Sequence, residues 1–161
     1  MQAWETFAGI SGTAAAALTG LLFVAVSIRI AYIAKSQELR NRAAQTLSLF
    51  GTVLIVSLLI AIPRQAPPTL GAELVVLAVI TGAGLYILGL RAKGDRSNQA
   101  IAPVLEAVTP TTVTSLLLLL ASGIVLAFGV PAGLYVLVVP VLIALVSGIV
   151  SAWLLLTKIT E

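Results

Sequence analysis

The sequence predicts an all-α membrane protein, a bundle of five transmembrane helices, and three observations carry that prediction. Hydrophobic residues fill 60% of the 161 positions and charged ones 9%, against roughly 45–50% and about 25% in soluble domains, so lipid is the expected solvent. Five apolar runs follow one another, each near the roughly 20 residues that a helix needs to cross a hydrocarbon core about 30 Å thick. Between them no polar stretch is long enough to fold separately in water. Residues 1–161 therefore read as a single transmembrane domain with spans near 8–34, 43–62, 72–90, 110–128 and 134–157.

The first span opens with small residues and carries no charge from Thr6 to Ile28. Arg29 then falls at the far interface, where its stem lies along lipid and its guanidinium reaches the headgroups. The leading MQAWETF has no basic stretch ahead of the apolar run, so a cleaved secretory signal is not expected. After a polar turn at Ser36–Asn41 the second span runs to Pro63, which cannot donate the next backbone hydrogen bond. The connection PRQAPPTLG, rich in proline, is expected to be a stiff, extended loop.

The third span carries Glu73 at its entrance. In the polar-to-apolar segment that follows, residues 98–108 suit a short interfacial helix, and equally an extension of the fourth span. Thr109 and Pro110 read as N-cap and first helical position of that span. Gly129, Pro131 and Gly133 mark a tight uncharged turn, and Lys158 closes the fifth span. Pro140, about one and a half turns inside it, is expected either to kink the helix or to mark its true start.

Five crossings put the two termini on opposite sides. With the N-terminus outside and the C-terminus cytoplasmic, Arg29, Lys35, Arg40, Arg42, Arg91, Lys93, Arg96 and Lys158 lie inside and only Arg64 outside, as the positive-inside rule favours. The aromatic residues agree: Trp4 and Tyr135 lie near the outer interface, Tyr32 and Trp153 near the inner one. The nine basic residues are thereby explained as topology signals, and no nucleic-acid partner is expected.

Between apolar helices in lipid, small residues let backbones approach. Gly12, Ala16 and Gly20 form one such line on the first span, and Ala144, Gly148 and Ala152 another on the fifth, with shorter versions at Ala78 and Gly82 and at Gly123 and Ala127. These lines serve internal packing or a subunit interface. Hydroxyls within the spans, among them Thr52, Ser57, Thr114 and Ser147, are expected to bond the carbonyl one turn earlier rather than to line a polar path.

Three charges stand where more than surface anchoring is at stake: Arg29, Glu73 and Glu106. Arg29 and Glu106 share the cytoplasmic boundary, and either pair with each other or face headgroups separately. Glu73, at the external start of the third helix, is expected to be held by the helix dipole and the open backbone amides there. Its functional alternative is to collect a cation or proton at the mouth of a path. The middle of every span lacks acids and bases, which weighs against proton-coupled transport.

Histidine and cysteine are absent, which removes disulfides, thiol chemistry, imidazole metal ligands and the commonest general base. No nucleophile elbow, phosphate-loop lysine or paired carboxylates occur. A serine–lysine arrangement stays open on residue types alone. No enzymatic activity, cofactor or metal is expected.

WETF at the start, AAAALTGLLFVAVSI in the first span, RAAQTL, IPRQ and LGAEL around the second turn, and GLYVL with AWLLLTKI at the end together resemble a family of small, largely uncharacterised bacterial multi-pass inner-membrane proteins. Some members are labelled modulators of the FtsH protease; no residue pattern in this chain bears on that label. Members often carry an acidic residue just before the Ala-Trp of the last helix, where this chain has Ser151. The resemblance implies the bacterial cytoplasmic membrane as location. The function expected is that of a non-enzymatic accessory or interaction protein whose partners are the bilayer and either its own copies or another membrane protein. The alternative is a small channel or transporter formed by an oligomer.

Overall fold

The structure, a computed structural model, describes residues 2–28, 30, 37–92 and 110–157. Five helices account for nearly all of them: α1 (Gln2–Ile28), α2 (Gln37–Ile60), α3 (Pro67–Ala92), α4 (Pro110–Ala127) and α5 (Gly133–Thr157). All five are long and apolar enough to cross a membrane, and among the described residues there is no strand. Arg29, Glu106 and residues 98–108 lie outside the described residues, and with them the Arg29–Glu106 pairing and the interfacial helix.

The helices reach past the apolar runs wherever a polar end suits a helix terminus. α1 begins at Gln2 rather than near residue 8, with Glu5 in its first turn, where an acid complements the positive end of the helix dipole. The connection expected to be extended is largely helical instead. The Ala66 carbonyl accepts from the amides of Thr69 and Leu70 at 3.1 Å each, so α3 starts at Pro67. Two prolines fit there because first-turn amides have no partner inside the helix, and their fixed φ already suits it. The true turn is only 61–66, with Arg64 in the left-handed region at φ 59°.

The α4–α5 turn follows from Gly129. At φ 77°, its amide donates to the Leu126 carbonyl at 2.8 Å and that of Val130 to Val125 at 3.3 Å, the paired bonds of a Schellman motif. α5 then runs through Pro140 without interruption, so the helix does not start there.

α2 is the hub. It packs against α1, α3 and α5, α4 closes the circle between α3 and α5, and α1 lies outside with a smaller contact to α5. Half of the α2 span is buried, against 17% of the α1 span. The shared core includes Val53 and Val56 of α2, Leu74 of α3, Leu126 of α4 and Leu137 of α5. Large apolar side chains such as Leu21, Ile80, Leu117 and Val146 stay exposed on the outer surface. So much exposed apolar surface is a liability in water and the natural outer layer in lipid.

The closest approaches are made at glycines. A Cβ on Gly71 would lie 2.7 Å from the Gly123 carbonyl oxygen, and one on Gly123 3.1 Å from that of Gly71, so α3 and α4 cross backbone to backbone. Gly148 of α5 faces Phe50 of α2, whose ring a methyl group there would overlap.

Candidate functional site

Two places offer chemistry: the interior, where a path would run, and the outer face, where a partner or lipid would sit. The interior is packed. A cavity between α2, α4 and α5, about 10 Å³, is lined by apolar residues such as Val56, Leu119, Pro140 and Val141, with Thr52 and Ser115 as the polar share. That is at the lower limit for one water molecule. No Asp, Glu, Lys or Arg is buried among the residues whose side chains are described.

The hydroxyls spend their donors on backbone. Thr52 donates to the Ser48 carbonyl at 2.8 Å, Ser57 to Val53 at 2.9 Å and Thr114 to Pro110 at 2.8 Å, each one turn earlier, while Ser147 reaches Ala144 at 3.4 Å. Three also bridge helices: Ser11 and Ser57 at 2.9 Å, Thr52 and Thr81 at 3.4 Å, and Ser115 to the Pro140 carbonyl at 3.0 Å. They fasten α1 to α2, α2 to α3 and α4 to α5.

The two small-residue lines are used differently. Ala144 and Gly148 are buried and Ala152 is half-buried beside Phe50, so the α5 line meets α2 inside the chain. On α1 only Gly12 is at that kind of contact, where a Cβ would lie 3.0 Å from that of Ser57. Ala16 and Gly20 are exposed, and the buried face is Ala8, Ser11, Ala15 and Leu22. A packing stripe on a helix spans more than one column, and Gly12 sits at the edge where the two overlap.

Glu73 is not at a helix start. With α3 beginning at Pro67 it lies nearly two turns in, beyond the first-turn amides, and α3 has no acid in its first turn. Its carboxylate accepts from the Nε2 of Gln65, folded back from the turn. The other amide atom, Gln65 Oε1, is buried without a partner. Among the described residues, no three of His, Cys, Asp or Glu gather where they would hold a metal ion.

The larger feature was not singled out by sequence. An open recess of about 530 Å³ lies on the outer face, where Arg42 of α2 and Thr111 of α4 meet Leu142, Val146, Ser147, Val150 and Ser151 of α5. In the sequence Arg42 reads only as a topology charge.

Comparison with protein-family models, with curated proteins and with solved structures found no match.

Proposed function

We propose that the protein is a non-enzymatic component of the bacterial cytoplasmic membrane, with its N-terminus outside. In this reading it acts through helix packing with its own copies or another membrane protein. The observation that carries the reading is the apolar packing of the described interior. The ring α2–α3–α4–α5 is filled by apolar side chains around a cavity of about 10 Å³, its hydroxyls are engaged with backbone, and the surface left for interaction is the outside. The exposed Ala16 and Gly20 of α1 offer a second helix the close approach that small residues permit.

The chain has no cysteine, so single cysteines report cleanly. Ala16→Cys and Gly20→Cys are expected to cross-link to a second copy or a partner in native membranes, while Leu21→Cys, exposed on another face of α1, is not. Exclusively monomeric products from both would refute the reading. Arg64→Cys should react with a membrane-impermeant maleimide from outside and Lys158→Cys only after permeabilisation; the reverse pattern overturns the orientation. Solute or ion flux through reconstituted protein above that of empty vesicles would support the channel reading instead.

A further inference from the structure

We propose that the α4–α5 turn, residues 128–132, is a lipid-docking tip: it lies within the headgroup layer of the bilayer, with Phe128 and Val130 seated against acyl chains, rather than in water or against protein. All five of its residues are exposed, Phe128 by 82% and Val130 by 45%. No charged residue occurs from Ala107 to Thr157, so the whole hairpin, turn included, carries no side chain that demands water. A phenyl ring exposed at a turn is unfavourable in water and stable among lipid chains.

The backbone of the turn is built to the same end. Away from water, every amide needs a partner within the protein. The amides of Phe128, Gly129 and Val130 donate to Ile124, Leu126 and Val125, and those of Gly133, Leu134 and Tyr135 to Val130, Pro131 and Ala132. Pro131 has no amide. Among the described backbone only the Ala132 amide of this turn is left without an acceptor, and one free donor suits the ester and phosphate oxygens of headgroups. The α2–α3 turn at the same end of the bundle differs. It carries Arg64 and Gln65, and none of the amides of Arg64, Gln65 and Ala66 donates to a described backbone carbonyl.

Heights along the bundle agree. A Cβ on Gly71 would meet the Ala127 amide nitrogen, so α4 ends level with Gly71, while α3 continues four residues further out to Pro67, about 6 Å. The Arg64 turn thus stands beyond the α4–α5 tip. Trp4 and Tyr135, with ring centroids 5.1 Å apart, mark the interfacial level. Pro131 precedes Tyr135 by four residues, about 6 Å. That matches the headgroup layer on one side, half the difference between about 40–45 Å and about 30 Å. The proposal requires the bundle to lie in a bilayer and does not depend on which side this end faces.

The test places a nitroxide on single cysteines in the full chain, which has none of its own, in bilayers of phosphatidylethanolamine and phosphatidylglycerol. Collisions with oxygen, which partitions into lipid, are compared with collisions with a water-soluble nickel chelate. Phe128→Cys and Val130→Cys should favour oxygen over nickel, less strongly than Leu117→Cys on the exposed side of α4, while Arg64→Cys shows the reverse. Nickel access at 128 and 130 equal to that at Arg64→Cys puts the tip in water and overturns the proposal. Low collision with both reagents and an immobilised spectrum put it against a second copy or another protein, and overturn it as well. Nickel access at Leu117→Cys would instead remove the bilayer placement on which the proposal rests. Should Phe128→Cys fail to give a helical protein, Val130→Cys decides.

Discussion

Gly71→Ala is the sharpest perturbation of the packing, because the added methyl group meets backbone on the facing helix. It would lie 2.7 Å from both the Gly123 carbonyl oxygen and the Leu126 carbonyl carbon. Carbon contacts are optimal at about 3.5–4.0 Å and the Ala127 amide nitrogen is nearer still, so α3 and α4 must separate by more than about 0.8 Å. No rotamer change relieves this, since the atoms met are main chain. Overpacking costs about 1–3 kcal/mol, and the upper part of that range applies where nothing yields. Alanine for glycine inside a helix returns about 1 kcal/mol, leaving a net loss of about 2 kcal/mol. Gly82 is the control: it lies on α3 too, and a Cβ there meets nothing within 4 Å, so Gly82→Ala should gain up to about 1 kcal/mol. Reversible unfolding in mixed lipid–detergent micelles, followed by helical circular dichroism, measures both. If Gly71→Ala is as stable as Gly82→Ala, the backbone-to-backbone crossing is refuted.

The same assay checks three further expectations. Gly148→Ala should cost about 1–2 kcal/mol against the fully buried Phe50 ring, and Phe50→Leu in the same chain should recover part of it, a coupling of about 1 kcal/mol; additive losses would show that the two residues do not touch. Ser11→Ala and Ser57→Ala should couple by about 0.6 kcal/mol, the average for hydroxyl bonds between membrane helices, and zero coupling would mean that the carbonyls one turn back satisfy each hydroxyl alone. Glu73→Leu strands the Gln65 amide and should cost about 1 kcal/mol, while Glu73→Gln keeps an acceptor and should cost less; equal losses would assign the effect to something other than that bond.

What the sequence made legible is what the bilayer itself imposes. A hydrocarbon core of fixed thickness sets the length and number of apolar runs, and five helices appear where five runs were read. Helix ends were less legible because the apolar run measures lipid contact, whereas Gln2 to Glu5 and Pro67 to Thr69 are helical for reasons of capping and dipole. Rotation about each axis was the least legible. A line such as Gly12, Ala16 and Gly20 marks a face that permits close approach, but whether that face turns inward depends on which helix competes for it. On α1 the column through Ser11 and Ala15 took the contact with α2, helped by the Ser11–Ser57 bond. The α5 line was decided by Phe50, whose ring needs the space that Gly148 leaves. The close approach at Gly71 is not legible because that glycine acts alone rather than in a spaced series.

The bundle and its recess follow from one physical condition. In lipid, helices gain little by hiding apolar surface from a solvent that is itself apolar, so they hold where backbones can come close and where hydroxyls bridge. Both devices cluster around α2, α3 and the α4–α5 pair: Gly71 with Gly123, Gly148 with Phe50, Thr52 with Thr81, Ser115 with Pro140. Ser115 pairs with the Pro140 carbonyl, so Thr111, one turn before it, lies beside the middle of α5, and the later turns of α5 keep Val146, Val150 and Trp153 exposed. The recess is thus where the supply of close contacts ends, and it ends beside Arg42.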